Sequence, residues 1–321
     1  MTKIARLLLF LCTLSVFHIS MARPRVAVVL SGGGAKGTAH IGALKVIEEA
    51  GVPIDMIVGT SMGSIIGGLY AIGYTTEQLD SIFMAQDWNT LLSDKAYRNA
   101  LNLQTREQNS QYILSVPFFE KPQDLISGGV IKGRNIGRML WQLTEGYHDS
   151  IDFQKMPIPF ACISQDLVTG EEIVNGVLPI AIRASMSIPG AFAPISMNGK
   201  LLIDGGIINN YPVDVARQMG ADIVIGVDVQ DPMKNAEELQ NNIFAQLNQL
   251  IELQRKDRWE QNIALSDVYI KVDVKGYNTA SFNTTAIDSL MERGAQAARS
   301  QIDTLRAIGG RFSPDDSIVS R

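Results

Sequence analysis

A pentapeptide of the form Gly-x-Ser-x-Gly constrains the fold of this chain more than any other feature. It runs from Gly59 to Gly63 (GTSMG), with Ser61 at its centre. It lies between an apolar run at 56–58, which predicts a β-strand, and a small-residue apolar segment at 64–72, which predicts a closely packed helix. In that context the pattern predicts a nucleophile elbow, a sharp turn that exposes the serine hydroxyl. The two glycines are needed because side chains there would collide with neighbouring backbone.

Apolar runs and helical patterns alternate along the rest of the chain. This alternation predicts a three-layer α/β/α sandwich with a largely parallel central sheet. Neither a repeat nor a linker interrupts it, so residues 23–310 are predicted to form one domain, followed by a polar tail at 311–321. The further strands are predicted at 25–30, 160–164, 172–175, 201–203, 223–229 and 268–272, and the main helices at 38–50 and 236–264.

Residues 1–22 have the pattern of a signal peptide. Lys3 and Arg6 precede an apolar run at 7–19, which is shorter than the roughly 20 residues that span a bilayer. The pattern predicts export, and so a periplasmic or secreted protein, with association with the outer membrane left open. Removal of this segment leaves Cys162 as the one cysteine, in an apolar run that predicts a buried thiol without a disulfide.

The charge balance argues against nucleic acid as a partner. Of 28 basic residues, two lie in the predicted signal peptide, which leaves 26 against 33 acidic residues and a formal net charge of −7. Such a surface attracts neither nucleic acid nor anionic lipid. Any contact with a membrane surface is therefore expected to be transient and to depend on apolar loops. The sequence leaves open whether the chain forms a homodimer.

A second glycine-rich turn, SGGGAKG at 31–37, follows the first predicted strand. Gly32, Gly34 and Gly37 fit the Gly-x-Gly-x-x-Gly pattern of dinucleotide-binding proteins. That interpretation lacks the acidic residue expected after the second strand, where the serine elbow stands instead. The alternative is an oxyanion hole, in which the backbone N–H groups of Gly32, Gly33 and Gly34 face the negative oxygen that forms when a serine attacks a carbonyl.

A serine nucleophile needs a base, and the chain offers few candidates. His40 lies within the first predicted helix and His148 in a polar stretch, so neither follows a strand as in a Ser-His-Asp hydrolase. Asp204 ends a predicted buried strand and precedes Gly205 and Gly206. Because functional groups gather at the carboxyl ends of parallel strands, Asp204 is expected near the elbow, where a dry pocket would raise its basicity.

In this order the three elements resemble the patatin-like phospholipase family, and in particular bacterial members with a signal peptide. The resemblance covers nearly all of residues 25–308 and includes the blocks at 166–170 (DLVTG) and 183–189 (RASMSIP). It implies a Ser-Asp dyad, Ser61 with Asp204, that hydrolyses phospholipids or other lipid esters through an acyl-enzyme. It implies no cofactor, and the scattered histidines predict no metal site.

The resemblance assigns the remaining site residues less firmly. Gly37, Gly205 and Gly206 support the loops that carry the chemistry. Arg183 either supports the dyad or forms an ordinary surface salt bridge. Two other functions stay open at this point: a dinucleotide-binding oxidoreductase and a non-catalytic lipid-binding module.

A lipid hydrolase must admit an acyl chain. Met62, Met186, Ile188 and Phe192 are expected to line a groove, or else to fill the core. The polar segment 88–112 is predicted to be a lid, and the apolar residues 116–119 (VPFF) are predicted to insert into lipid.

Overall fold

The computed structural model describes residues 23–95, 129–174, 177–240 and 243–312. The predicted signal peptide, most of the predicted lid, the segment 116–119 and nearly all of the polar tail lie outside the described residues. The proposals made for them stay predictions.

The centre of the fold is a mixed, mostly parallel sheet. Among the described residues it has eight strands, in the order β10-β9-β1-β2-β4-β8-β7, with β5 paired to β4, while β3 and β6 form a separate pair. The strands are β1 (Val26–Leu30), β2 (Met56–Thr60), β3 (Gly129–Ile131), β4 (Phe160–Asp166), β5 (Glu172–Ile173), β6 (Gly190–Phe192), β7 (Ile195–Met197), β8 (Lys200–Asp204), β9 (Ile223–Asp228) and β10 (Val268–Lys271).

Helices follow most strands. They are α1 (Ala39–Glu49), α2 (Met62–Ala71), α3 (Thr76–Ala85), α4 (Trp88–Leu91), α5 (Arg134–Leu143), α6 (Leu178–Ser185), α7 (Val213–Gln218), α8 (Ala236–Leu239), α9 (Ile243–Ala264), α10 (Thr284–Arg299) and α11 (Ile302–Gly309). Within the described ranges, none of these helices is long and apolar enough to cross a membrane.

Alternate residues of the central strands pack into two different cores. In β1, Val26 and Val28 belong to the core shared with α1, α2 and α10, whereas Ala27 and Val29 belong to the core shared with α7 and α9. This alternation confirms the predicted three-layer arrangement, because each face of the sheet is covered by helices. Cys162 is buried in the first core, as predicted, and burial raises the pKa of its thiol to about 12.

The strand that carries Asp204 runs opposite to the predicted direction. β8 pairs with β4 antiparallel, with Ser164 opposite Asp204. β4 pairs parallel with β2, where Ile163 lies opposite Thr60. β4 therefore extends past the carboxyl end of β2. β8 begins beside this extension and runs back toward β2, so that it ends at the level of the elbow. Asp204 reaches the edge of the sheet where the elbow lies, as predicted. The expected reason, a strand parallel to its neighbours, was wrong.

Some predicted boundaries also change. The helix predicted at 236–264 is described as α8 and α9, with 241–242 outside the described residues. The strand predicted at 172–175 is described only at Glu172–Ile173. The three-residue strands β3, β6 and β7 were not predicted, because runs so short carry no clear period.

Candidate active site

Ser61 lies in a strained turn between β2 and α2. Its φ of 53° and ψ of −119° are a backbone conformation that side chains rarely adopt. A Cβ atom on Gly59 would collide with the backbone of Gly63, and one on Gly63 with the carbonyl of Leu30. The glycines predicted for the elbow thus stand where the backbone of the turn approaches its neighbours most closely.

A serine from α6 holds this turn in place. The backbone N–H of Ser61 donates to Oγ of Ser185 at 2.9 Å, and that hydroxyl in turn donates to the carbonyl of Ile163 in β4. Sequence reasoning noted Ser185 only as part of the 183–189 block. Its contacts connect the elbow to the strand that pairs with β8.

The collision at Gly63 gives a direct test of the elbow. Gly63→Ala is expected to lower the free energy of unfolding by about 2 kcal/mol, because the added methyl meets fixed backbone of β1. Gly137→Ala in α5 is the matched control, since a Cβ there meets nothing within 4 Å and alanine favours helix by up to about 1 kcal/mol. Urea denaturation measures both, and equal stabilities would contradict the proposed role of Gly63.

Asp204 lies at the end of β8 and is 5% exposed. Its Oδ1 accepts a hydrogen bond of 2.7 Å from the backbone N–H of Gly206, and a Cβ on Gly205 would collide with the carbonyl of Ile163. Burial raises the pKa of Asp204 to about 6, against the opposing effects of the Gly206 amide, a hydrogen bond from Ser61 and the charge of Arg255. The two predicted reacting groups are therefore neighbours at one edge of the sheet.

The glycine loop lies beside Ser61 and Asp204, but one of its three amides already has a hydrogen-bond partner. The N–H of Gly32 donates to the carbonyl of Asn210 at 3.2 Å, and Nδ2 of Asn210 donates back to the carbonyl of Gly32 at 3.1 Å. This bond occupies the Gly32 amide, which argues against its predicted place in the oxyanion hole. Gly33 and Gly34 begin a 3₁₀ turn at Gly34–Thr38, where N–H groups have no acceptor within the turn. Gly37 packs so closely that a Cβ would meet the side chain of Met62.

The two histidines lie elsewhere. His40 is fully buried behind the glycine loop, with Nε2 2.7 Å from the carbonyl of Ser31, and burial lowers its pKa to about 4. His148 stacks on Trp141, with 4.2 Å between ring centroids. Neither histidine lines either of the two cavities, described next, that open on Ser61.

Two cavities meet at Ser61, and both include Gly34, Ile188 and Thr279 in their walls. The first has a volume of about 340 Å³ and a mainly apolar wall, and we call it the apolar cavity. Its lining includes all four side chains predicted for a groove: Met62, Met186, Ile188 and Phe192. The second has a volume of about 310 Å³, and we call it the polar cavity. Its wall includes Asp204, Lys36, Asp231, Glu252 and Arg255.

Two other predictions for this region change. The start of the predicted lid, 88–95, includes the short helix α4, whose Trp88 is buried and stacks on Phe282 at 4.6 Å. Trp88 and Leu91 belong to the core, whereas Asn89 and Leu92 line the apolar cavity. Arg183 is also buried, and donates to Oγ of Ser187 at 2.7 Å and to the carbonyl of Lys132 at 3.2 Å. It lines neither cavity and forms no surface salt bridge within the described residues.

A strained serine between a strand and a helix, with a glycine loop and a buried carboxylate at the same sheet edge, is the arrangement of α/β proteins with a nucleophile elbow. The model of the patatin-like phospholipase family matches residues 28–217. The chain belongs to the patatin-like phospholipase family.

Known proteins similar to this chain are mostly longer. Patatin-like phospholipase domain-containing protein 6 of Homo sapiens is 35% identical over 208 residues, which cover 64% of this chain and 13% of that protein. An uncharacterised NTE family protein of Mycobacterium tuberculosis is 30% identical over 220 residues, which cover 67% of this chain and 52% of that protein. Among solved structures, VipD from Legionella pneumophila has a TM-score of 0.46 and 13% identity, and the match covers 88% of this chain and 67% of VipD.

Proposed function

We propose that the chain is a lipid acyl hydrolase that works through a Ser61–Asp204 dyad and an acyl-enzyme. The observation that carries this proposal is that a strained serine and a buried carboxylate line the same cavity, at the point where an apolar and a polar cavity meet. An aspartate is an adequate base here because burial brings its pKa to about 6, close to neutral pH.

In the first half of the reaction, Oγ of Ser61 attacks the ester carbonyl carbon while its proton passes to Asp204. The N–H groups of Gly33 and Gly34 stabilise the resulting oxyanion, and each such donor is worth about 3 kcal/mol of barrier. The tetrahedral intermediate then expels the alcohol, which takes the proton from Asp204, and the acyl group stays on Ser61.

In the second half, water replaces the alcohol. Asp204 accepts a proton from the water as its oxygen attacks the acyl carbon, and the second oxyanion occupies the same place as the first. When that intermediate collapses, Oγ of Ser61 leaves the acyl carbon and recovers a proton from Asp204. The free carboxylic acid departs, and both residues return to their starting states.

The apolar cavity supports an acyl chain as the group that is transferred. Its wall combines side chains from α2, α4, β3, α5 and β6, all of which converge beside Ser61. Burial of apolar surface contributes roughly 0.8 kcal/mol for each CH₂. Esters with longer acyl chains are therefore expected to react with higher kcat/KM until the cavity is full.

Filling the apolar cavity tests this assignment. Ala191 lies in β6 and lines the apolar cavity but not the polar one. Ala191→Phe is expected to lower kcat/KM for a dodecanoyl ester at least about 10-fold relative to a butanoyl ester, since the ring displaces several buried CH₂ groups. Ala191→Ser is the matched control and should keep the wild-type ratio. If Ala191→Phe also keeps that ratio, the acyl chain does not bind in this cavity.

A further inference from the structure

Helix α9 forms one wall of the polar cavity, although it lies outside residues 28–217, which the family model matches. Five of its side chains line the cavity: Asn248, Gln249, Ile251, Glu252 and Arg255. Their positions recur at helical spacing, so one side of α9 faces the reacting groups. No sequence motif marks this helix as part of the site.

Arg255 is the member of this face that reaches the dyad. Its guanidinium donates a hydrogen bond to the carbonyl of Gly206. The N–H of Gly206 donates to Oδ1 of Asp204 at 2.7 Å, and the charges of Arg255 and Asp204 attract each other. The Arg255 side chain is 13% exposed, so water screens this attraction little.

We propose that Arg255 is a positioning residue for hydrolysis: it fixes the Gly206 backbone that orients the Asp204 carboxylate, and it places a positive charge beside that carboxylate. The inference rests on the proposed function. It adds that the base is controlled from a helix outside the matched segment. A contact that only attached α9 to the sheet would contribute to stability without affecting the protonation of Asp204.

The charged groups that act on Arg255 come from its own helix and from two strands. Burial lowers the pKa of Arg255, and three carboxylates oppose that effect: Glu252 one turn earlier on α9, Asp204 at the end of β8 and Asp228 at the end of β9. Glu252 is the nearest ion-pair partner, with 4.0 Å between its Oε1 and Nη2 of Arg255. An arginine stays charged throughout the useful pH range.

Glu252 has its own set of charged neighbours. Burial raises its pKa, Arg255, Lys234 and Lys36 lower it, and Asp231 raises it. Lys36 is itself held by Asp231 at 2.8 Å. The positive and negative charges that line the polar cavity are therefore similar in number. Removal of one of them changes the electrostatic potential at Asp204.

The experiment is the pH dependence of kcat/KM for a soluble butanoyl ester. In the wild-type protein the rate should rise with pH through an apparent pKa near 6, as Asp204 ionises. Arg255→Gln should move this acid limb up by about one pH unit, because an opposite charge that favoured the carboxylate is gone. Arg255→Lys keeps the charge and should restore much of the wild-type profile.

Two further variants separate charge at Asp204 from general effects. Arg258→Gln removes a cation from the same helix, but Arg258 pairs with Glu172 and Asp214, each at 2.7 Å, so the acid limb should not move. Glu252→Gln removes the carboxylate that competes for Arg255 and should move the limb slightly to lower pH. This second variant decides the question if Arg255→Gln does not fold.

The outcomes are distinct. The role of Arg255 is overturned if the acid limb stays in place in folded Arg255→Gln. If Arg255→Gln does not fold, the role is overturned when the acid limb of Glu252→Gln fails to move to lower pH. Either result leaves the proposed dyad intact. Hydrolysis that survives in Ser61→Ala overturns the proposed function itself.

Discussion

Ser61→Ala is expected to lower hydrolysis of a butanoyl ester by about 10⁶-fold, to the level of the reaction without nucleophilic catalysis. The proposed route passes through an ester to Oγ of Ser61, and an alanine cannot form it. The protein should remain folded, since alanine removes one hydroxyl and keeps the backbone hydrogen bond from residue 61 to Ser185. Steady-state kinetics with circular dichroism measure both properties.

A serine far from the site is the control for this variant. Ser266 precedes β10, at the opposite end of the strands from the elbow, and its hydroxyl bonds to the carbonyl of Asn262 at 3.0 Å. Ser266→Ala should keep full activity. Residual hydrolysis by Ser61→Ala above about 1% of the wild-type rate would mean that another group is the nucleophile.

Asp204→Asn is expected to lower kcat/KM by about 10²- to 10⁴-fold, the usual contribution of a general base. An asparagine accepts the Gly206 hydrogen bond but cannot take the proton of Ser61. The acid limb near pH 6 should vanish in the remaining activity, since the group that titrates is gone. Full activity in a folded Asp204→Asn protein would rule out the dyad.

The same substitution should stabilise the fold. The pKa of Asp204 is about 6 in the folded protein, above its ordinary value of 3.8, so the folded state binds the proton more tightly than the unfolded state. The contribution of Asp204 to stability is then most favourable below pH 4 and is lost as the pH rises to about 6. Asparagine avoids this loss, so the free energy of unfolding should rise by about 3 kcal/mol at pH 8 and change little at pH 4.

Asp166 on the neighbouring strand provides the opposite case. Burial acts to raise its pKa, but hydrogen bonds from Thr169 and from the N–H groups of Val168 and Leu201 outweigh this effect and lower the pKa. Asp166→Asn should therefore destabilise the fold at neutral pH, whereas Asp204→Asn stabilises it. If the free energy of unfolding changes equally and with the same sign in the two variants, the ionised Asp204 carboxylate does not destabilise the fold.

The sequence predicted the layers but not the direction of every strand. Apolar runs locate strands, yet a run such as 201–203 does not reveal its partner. The missing signal was Asn198-Gly199, a two-residue turn between β7 and β8 in which both residues have positive φ, 52° and 76°. That pair favours a tight hairpin. Recognition of this hairpin would have led to the prediction that β7 and β8 pair antiparallel.

In the site, too, features formed by adjacent residues could be predicted from the sequence, whereas contacts between distant residues could not. The turn at Ser61 and the Asp204-Gly205-Gly206 turn were predictable because each is formed by adjacent residues. The bond that occupies the Gly32 amide was not predictable, since its acceptor, the carbonyl of Asn210, lies 178 residues away. Arg255 escaped notice because an arginine on a polar helix face gives no pattern that distinguishes it from a solvated one.

Hydrolysis by the proposed route depends on a hydroxyl that becomes nucleophilic as a single buried carboxylate ionises. The most direct test is the rate of covalent labelling by a fluorophosphonate probe as a function of pH, with the modified residue identified by mass spectrometry. One adduct is expected, on Ser61, and in the wild-type protein its rate of formation should rise through an apparent pKa near 6. In Asp204→Asn the same adduct should form much more slowly and without that rise. An adduct on another residue, or wild-type labelling of Asp204→Asn, would contradict the proposed route.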